Sequence, residues 1–369
     1  MQCQRHGSGL MAARGATRVL IVDDSAVVRK LLGDALRREP DIEVVGGASD
    51  PFVARDMILQ YKPDLITLDI EMPRMDGLSF LRRLMAHHPI PAIVVSSLTQ
   101  SGSAASLEAL RIGAIDVIAK PGGPHSVDQV TEKLIQRIRA LRAAPAVNLT
   151  RSALASAAAA GAGPTPPSGA VGRRARGLIA IGASTGGTQA LETVLTRLPA
   201  DVPPIVVVQH MPAGFTKAFA GRLDSVCAMR VVEASGGEAL ERSTAYIAPG
   251  DFHLHVEQDG LRLRTRLSQG PPVHYQRPAV DVLFGSVARL QGLHVVGMLL
   301  TGMGADGADG MVAMRRAGAQ TIAEAEESCV VFGMPKEAIA RGGAIHVASL
   351  LQMPSLIFDC FDRFGAKAS

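Results

Sequence analysis

A serine at position 184 occupies a setting that suits either covalent catalysis or anion binding. Residues 182–187 read Gly-Ala-Ser-Thr-Gly-Gly; they follow an apolar run at 178–181 and precede helical spacing of apolar residues over 188–198. A turn between a buried strand and a helix exposes the serine hydroxyl and directs backbone N–H groups towards an anion. The Gly-x-Ser-x-Gly pattern is typical of a nucleophile elbow, and the same turn suits a phosphate. This short pattern alone leaves both interpretations open.

Two other polar residues, His210 and Asp306, also come after predicted buried strands. His210 follows the strand at 205–209, and Asp306 lies in the glycine-rich segment after the strand at 295–300. Because the carboxyl ends of parallel strands share one edge of a sheet, Ser184 can meet both residues there. A serine hydroxyl needs a neutral imidazole to accept its proton, and a carboxylate fixes the imidazole tautomer. The sequence therefore predicts a Ser-His-Asp triad, whose chain order differs from the Ser-Asp-His order of α/β hydrolases.

Carboxylates also cluster at strand ends in the N-terminal third of the chain. Asp23 and Asp24 follow the first apolar run, Asp69 follows the third, and Ser96 and Lys120 follow the fourth and fifth. Three crowded carboxylates repel one another unless a divalent cation is bound, and oxygen ligands suit Mg²⁺. A carboxylate flanked by metal, hydroxyl and ammonium groups can accept a phosphoryl group. Helix capping by aspartate is the competing interpretation; it suits Asp24 alone and not the whole set.

Apolar runs that alternate with helical stretches must position these residues, and they predict an α/β protein with two doubly wound parallel sheets. In the N-terminal part the predicted strands are residues 18–22, 43–46, 65–68, 92–95 and 116–119. The helix after Asp24 is expected to bury Val27, Val28, Leu31, Leu32, Ala35 and Leu36. In the C-terminal part the predicted parallel strands are residues 178–182, 205–209, 295–300 and 320–323. Residues 245–275 have antiparallel character, and we expect an inserted hairpin of 252–256 and 261–264.

Composition divides the chain into four segments. Residues 143–176 are dominated by Ala, Gly, Pro and Ser and lack the apolar bulk to fold alone. We therefore predict an N-terminal extension (1–16), a first α/β domain (17–140), a flexible linker (141–176) and a second α/β domain (177–366).

Bulk composition argues against several classes of function. The 369 residues carry a formal net charge of +4, contain no Trp and are 4% aromatic, which argues against a nucleic-acid partner. The four cysteines are far apart, so neither a zinc site nor a disulfide framework is predicted, and a reducing cytoplasm fits. No apolar run reaches the length of a membrane span, and no secretion signal is expected. We expect a cytoplasmic protein without membrane insertion.

The strand-end residues of the first domain resemble those of the receiver domain of two-component response regulators. This resemblance implies a flavodoxin-like fold with Asp69 as the phosphoacceptor, Ser96 as the switch hydroxyl and Lys120 as a contact of the phosphoryl group. The implied Mg²⁺ ligands are Asp23, Asp24, Asp69 and the main-chain carbonyl of Glu71. A cis peptide bond between Lys120 and Pro121 is implied as well. Val117 stands where many receivers have an aromatic residue, so a readout through an aromatic side chain is not expected.

Six stretches of the second domain, 181–187, 209–215, 246–250, 277–284, 300–304 and 329–335, together carry a second resemblance. They are similar to the catalytic domain of chemotaxis-specific protein-glutamate methylesterases. The resemblance implies a Rossmann-like α/β fold in which Ser184 is the nucleophile, His210 the base and Asp306 the orienting acid. It also implies the Met303 backbone N–H as an oxyanion donor and Thr185 as a contact residue beside the nucleophile.

Together the two resemblances imply a phosphorylation-activated hydrolase of chemotaxis adaptation. It would demethylate glutamate γ-methyl esters, with release of methanol, and deamidate specific glutamines on chemoreceptors. A chemotaxis histidine kinase would be the phosphodonor, Mg²⁺ would serve phosphorylation, and ester hydrolysis would need no cofactor. A monomer is expected. In the family, the unphosphorylated receiver covers the active-site cleft.

Two other functions compete with this interpretation. A response regulator with a non-catalytic nucleotide-binding output domain would use residues 182–187 as a phosphate cradle, but no Gly-x-Gly-x-x-Gly fingerprint is present there. A DNA-binding response regulator would need a helix-turn-helix after the linker, and the second domain is much longer than such modules. Nucleotide affinity without esterase activity would favour the first of these alternatives.

Overall fold

The computed structural model describes residues 15–72, 76–97, 99–120, 124–143 and 176–366. Most of the predicted N-terminal extension and linker lies outside these ranges, as does Pro121 of the expected cis peptide bond. The described residues form two parallel sheets and a separate antiparallel hairpin. The boundaries of the four predicted segments stay predictions.

Five strands form the first sheet in the order β2-β1-β3-β4-β5, and every pair is parallel. The strands are β1 (Thr17–Val22), β2 (Ile42–Ala48), β3 (Leu65–Leu68), β4 (Ala92–Ser96) and β5 (Asp116–Ala119). The helices are α1 (Ala26–Leu36), α2 (Pro51–Tyr61), α3 (Gly77–His87), α4 (Gln100–Ile112) and α5 (Pro124–Ala143). All five predicted strands are confirmed, and their order is that of a flavodoxin-like doubly wound sheet.

The first helix buries a narrower face than the sequence predicts. The Ser25 hydroxyl caps α1 by accepting a backbone N–H, and Leu32 and Leu36 are buried. The prediction that Val27 and Leu31 are buried is wrong, because they are 66% and 40% exposed. Val27 precedes Val28, and Leu31 precedes Leu32, both of which pack into the core. Successive residues lie about 100° apart around a helix, so Val27 and Leu31 lie on the solvent side.

Seven parallel strands form the second sheet, in the order β14-β13-β12-β6-β7-β9-β8. In chain order the strands of this domain, with the hairpin strands β10 and β11, are β6 (Gly177–Ala183), β7 (Ile205–Gln209), β8 (Arg230–Glu233), β9 (Thr244–Ile247), β10 (His253–Asp259), β11 (Arg262–Ser268), β12 (His294–Leu299), β13 (Gln320–Glu324) and β14 (His346–Ala348). The helices are α6 (Gly187–Leu195), α7 (Phe215–Asp224), α8 (Val280–Val287), α9 (Ala308–Arg316), α10 (Met334–Ala340) and α11 (Met353–Ala366). The four predicted parallel strands are confirmed. Among the described residues, no helix combines the length and the apolar character that crossing a membrane requires.

The inserted hairpin is confirmed, but the antiparallel region is shorter than expected. β10 and β11 pair in antiparallel register from His253 opposite Ser268 to Asp259 opposite Arg262. The antiparallel prediction is wrong for residues 245–247, which belong to β9 and pair in parallel with β7 and β8. All four residues of β9 are buried, so the strand lacks the alternation of a strand with one face in solvent.

The two domains pack directly on each other. Phe215, at the start of α7, is fully buried in one apolar cluster with Leu110 and Val117 of the first domain. Residues 330–331 of the second domain join another apolar cluster with Ile115 of the first. The first domain therefore contributes side chains to the surroundings of the second sheet.

Candidate active site

Ser184 follows β6, in the turn that leads into α6. Its backbone N–H donates to the Thr301 carbonyl over 3.0 Å, and its carbonyl accepts the Gly187 N–H over 2.7 Å. Gly186 has a φ of +79°, a left-handed conformation that glycine adopts without strain. A Cβ atom at Gly302 would lie 2.7 Å from the Ser184 Cβ atom, so the chain after β12 approaches the serine too closely for a side chain. These contacts fix the turn and leave the Ser184 side chain buried.

His210 follows β7 and is hydrogen-bonded to Asp306, which lies in the loop after β12. The His210 Nε2 atom is 2.8 Å from the Asp306 Oδ2 atom, and both side chains are 2% exposed. The carboxylate also accepts the N–H groups of Val280 and Asp281, over 2.7 and 2.8 Å, at the start of α8. Burial acts to raise the pKa of Asp306, but His210 and the two N–H donors outweigh burial and lower that pKa. Asp306 therefore stays ionised and holds the imidazole with a proton on Nε2.

Two buried polar atoms at this sheet edge, Ser184 Oγ and His210 Nδ1, have no hydrogen-bond partner among the described residues. Buried polar atoms are nearly always paired, so two unpaired ones on predicted triad members need an explanation. A serine nucleophile and its general base use these two atoms, because the proton passes from the hydroxyl to the free imidazole nitrogen. A catalytic hydrogen bond is often absent before substrate binds. The strands that precede Ser184, His210 and Asp306 are neighbours in one parallel sheet, so the three residues follow strands that end at one edge, as the sequence predicts.

Met303 lies in the same loop as Asp306, directly after Gly302. The Gly302 carbonyl accepts the N–H groups of Gly333 and Met334, over 3.0 and 2.8 Å, which fixes this part of the loop. The Met303 N–H donates to no backbone acceptor in the part of the chain that the structure describes. A backbone N–H without a backbone acceptor, next to a residue that approaches Ser184 this closely, is suited to an oxyanion.

Thr185, the residue after the candidate nucleophile, is bonded to the other domain. Its Oγ1 atom donates to the Asp116 Oδ2 atom over 2.9 Å. Asp116 begins β5 and is ion-paired with Arg137 of α5 over 2.7 Å. A second contact joins Gln189 Nε2 to the Leu110 carbonyl over 2.7 Å. Sequence reasoning missed these partners, because the pattern of one domain does not record which surface of the other domain it meets.

The first domain covers the edge that holds Ser184 and His210. A narrow cleft there is lined by these two residues and, from the first domain, by Ile115, Asp116 and Val117. Counted with their main-chain atoms, Ser184 and His210 are 2% and 7% exposed. A polypeptide substrate cannot reach the Ser184 hydroxyl in this arrangement, so the structure describes a closed state. Val117 therefore lies at the catalytic edge.

Asp23, Asp24 and Asp69 form an acid cluster at the carboxyl edge of the first sheet. One oxygen atom of each carboxylate lies within 4.8 Å of the others. Lys120 Nζ is 2.7 Å from Asp69 Oδ2 and 3.3 Å from Asp23 Oδ2. Burial raises the pKa of Asp69 from 3.8 to about 6, although Lys120 opposes this rise. One ammonium group does not balance three carboxylates, and this set of oxygen atoms fits a hard divalent cation such as Mg²⁺.

The remaining predicted receiver residues flank the acid cluster. Ser96 ends β4 and is fully buried. The Glu71 backbone N–H donates to Asp69 Oδ1 over 3.1 Å, so the Glu71 main chain lies beside the cluster. The structure therefore brings the predicted phosphorylation residues together at one edge.

Comparisons with known proteins agree with this two-part organisation. The response regulator receiver domain matches residues 19–132, and CheB methylesterase matches residues 179–357. A protein-glutamate methylesterase/protein-glutamine glutaminase of Syntrophus aciditrophicus is 51% identical over 333 residues, which are 90% of this chain and 96% of the relative. The chain belongs to the CheB methylesterase family. Another protein-glutamate methylesterase/protein-glutamine glutaminase, from Dechloromonas aromatica, is 49% identical over 91% of this chain and 96% of its own.

The crystal structure of the Thermotoga maritima CheB methylesterase catalytic domain is also similar to this chain. It is 40% identical, has a TM-score of 0.49, and its match covers 50% of this chain and 97% of that one. The family membership rests on the full-length relatives, which confirm both resemblances seen in the sequence. A CheB-family chain is a hydrolase with a receiver domain, so the interpretation of residues 182–187 as a nucleotide cradle is not supported.

Proposed function

We propose that this CheB-family enzyme hydrolyses glutamate γ-methyl esters on chemoreceptors and deamidates specific receptor glutamines, with Ser184 as its nucleophile. The observation that carries the proposal is the pair of buried, unpaired atoms Ser184 Oγ and His210 Nδ1 beside the ionised Asp306. The names of the relatives support both activities. One acyl attack serves both, because an ester and a primary amide differ only in their leaving group.

In the proposed reaction, Ser184 Oγ attacks the ester carbonyl carbon while His210 Nδ1 takes the hydroxyl proton. The Met303 N–H stabilises the tetrahedral oxyanion. His210 then gives the proton to the leaving oxygen, so that methanol departs and an acyl-enzyme remains. Water attacks the acyl-enzyme with His210 as the base, which releases glutamate and restores the serine. With glutamine as substrate the leaving group is ammonia.

We propose that phosphorylation of Asp69 controls access to Ser184. A chemotaxis histidine kinase donates the phosphoryl group, and Ser96 and Lys120 contact it. The acid cluster and the Glu71 main-chain carbonyl would hold Mg²⁺, which neutralises charge on the transferred group when bound. The closed state supports this regulation, because the receiver lies over the catalytic edge. A new phosphoryl charge at the sheet edge biases the two domains towards separation.

The proposed setting is the cytoplasm, where the methylated helices of chemoreceptors lie. We expect one chain to be sufficient, because all the proposed catalytic groups belong to the same chain. Ester hydrolysis proceeds in this proposal through Ser184, His210 and Asp306 without a cofactor, and no nucleic acid takes part.

Methanol release from methylated receptor membranes tests the proposal. We expect the full chain to release methanol, faster with a small phosphodonor and Mg²⁺, and Ser184→Ala to release none. Ser225→Ala, at an exposed serine on the same domain, is the matched control and should behave as wild type. Methanol release by a folded Ser184→Ala variant would overturn the assignment of Ser184 as the nucleophile. Nucleotide binding by a wild-type chain without esterase activity would favour the alternative output domain.

A further inference from the structure

Glu324 is a fully buried carboxylate behind the active-site loop, and the triad chemistry does not use it. It ends β13, the neighbour of β12 on the side away from β6, and its relative exposure is 0%. An ionisable side chain in such a place is costly to bury unless its hydrogen bonds are needed. The hydrogen bonds of the Glu324 carboxylate therefore indicate which part of the backbone it holds in place.

The Glu324 carboxylate is bonded to the backbone that carries the nucleophile. Its Oε2 atom accepts the Thr301 N–H over 2.7 Å. The Thr301 carbonyl in turn accepts the Ser184 N–H over 3.0 Å, and the Thr301 hydroxyl donates to the Thr185 carbonyl over 2.9 Å. One residue, Thr301, thus separates Glu324 from the turn that holds Ser184.

The hydrogen bond between Glu324 and Thr301 also lies close in the chain to Met303, the candidate oxyanion donor. Thr301 precedes Gly302 and Met303, and the Thr301 hydroxyl accepts the Val331 N–H over 3.0 Å. The Gly302 N–H donates to the Val331 carbonyl over 3.0 Å. Besides its bonds to the turn at 184–185, the segment 301–303 is therefore held from its other side by the loop at 331–334 and by the Glu324 carboxylate.

The surroundings of Glu324 favour its neutral form. Burial raises its pKa, and the negative charge of Glu327 adds to that effect. The Thr301 N–H and the side chains of Ser328 and Cys329 act in the opposite direction and do not offset burial. From β14 it faces Ala348, which has no ionisable group. A neutral carboxyl group retains an acceptor oxygen for Thr301, which is also what a glutamine amide offers.

We propose that Glu324 is a positioning residue that holds the segment 301–303, through the Thr301 N–H, so that the Ser184 hydroxyl and the Met303 N–H meet the same substrate carbonyl. The inference rests on the proposed catalytic roles of those two residues. It requires of Glu324 an acceptor oxygen at the right distance and not a negative charge. Small displacements of such groups have large effects on rate, since about 1 Å of misplacement costs on the order of a hundredfold.

Three substitutions in the full, phosphodonor-activated enzyme separate these requirements. Glu324→Met fills the space without an acceptor oxygen, Glu324→Asp keeps the carboxyl group but shortens its reach, and Glu324→Gln keeps the acceptor oxygen and the length. We expect the first two to lower kcat for methanol release about tenfold or more with KM changed less than about twofold. Glu324→Gln should recover kcat to within about threefold of wild type.

Thr321→Val is the matched control for a lost buried hydrogen bond on the same strand. The Thr321 hydroxyl is fully buried and bonds the Gly343 carbonyl and the Ile345 N–H, over 2.6 and 3.1 Å, away from the triad. The Thr321→Val substitution should lower the melting temperature and leave kcat unchanged. The inference would be overturned if Glu324→Asp or Glu324→Met kept the wild-type kcat, or if either substitution changed only KM. It would also be overturned if Glu324→Gln failed to recover kcat. These outcomes differ from failure of the proposed function, which is methanol release by Ser184→Ala.

Discussion

The Thr185 hydroxyl donates a 2.9 Å hydrogen bond to the Asp116 carboxylate, so the residue beside the candidate nucleophile is tied to the receiver domain. Arg137 pairs with the same carboxylate oxygen over 2.7 Å, and both side chains of this ion pair are 14% exposed. Both members of this ion pair belong to the receiver, so Arg137 holds the Asp116 carboxylate in place to accept the hydrogen bond from Thr185. The closed state is therefore held by a defined polar contact in addition to apolar packing.

Removal of this contact should raise the activity of the unphosphorylated enzyme. In Asp116→Ala the closed state loses a hydrogen bond to a charged group, which contributes about 1.5–3 kcal/mol. We expect methanol release without phosphodonor to rise about tenfold, with little change in the phosphorylated rate. Asp56→Ala, at an exposed aspartate of α2, is the control. An unchanged basal rate in Asp116→Ala would show that this contact does not restrain the enzyme.

Loss of the charge at Asp306 should stop catalysis without unfolding the chain. Asp306→Asn keeps the size of the side chain, but its amide N–H can donate to His210 Nε2. This favours the tautomer with the proton on Nδ1, which cannot accept the serine proton. We expect kcat for methanol release to fall about a thousandfold or more. Asp309→Asn, three residues on and 68% exposed, should stay within about twofold of wild type, since exposed substitutions have small effects. A folded Asp306→Asn enzyme with normal kcat would remove Asp306 from the triad.

Glu324 makes the stability of the enzyme depend on pH in a predictable direction. Burial raises its pKa from 4.5 to about 7. Because the folded chain holds this proton more tightly than the unfolded chain, the stabilisation is fully present below about pH 4.5 and is lost as the pH rises through about 7. Glu324→Gln cannot ionise, so its melting temperature relative to wild type should increase as the pH rises from about 4.5 to about 7. A difference in melting temperature between Glu324→Gln and wild type that stays constant over this range would contradict the prediction.

Asp69 should be required for activation and not for basal hydrolysis. Asp69→Asn lacks the carboxylate that we propose as the phosphoacceptor, and the proposed triad lies in the other domain. We expect basal methanol release as in wild type and no stimulation by a small phosphodonor with Mg²⁺. Chelation of Mg²⁺ should abolish stimulation of the wild-type enzyme as well. Asp34→Asn, at an exposed position of α1, should be stimulated normally, and stimulation of Asp69→Asn would exclude Asp69 as the phosphoacceptor.

The triad and the acid cluster were predictable because each member directly follows, or lies in the loop after, a buried parallel strand, and such strand ends share an edge. β9 was harder to predict, because all four of its residues are buried and it shows no alternation. Glu324 could not be singled out, since its partner, the Thr301 N–H, is a backbone group in the loop that follows the neighbouring strand β12. The Thr185–Asp116 contact depends on how two surfaces dock, which neither hydrophobic pattern records.

The packing of Phe215 against the receiver has a consequence for gene dosage. Both surfaces of the closed state belong to one polypeptide, so closure is unimolecular, and the closed fraction does not change with the number of enzyme copies in a cell. A separate receiver would have to reach an effective concentration on the order of millimolar to occupy the catalytic edge as well. Under the proposed regulation, the activity per enzyme molecule therefore follows the fraction phosphorylated at any level of expression.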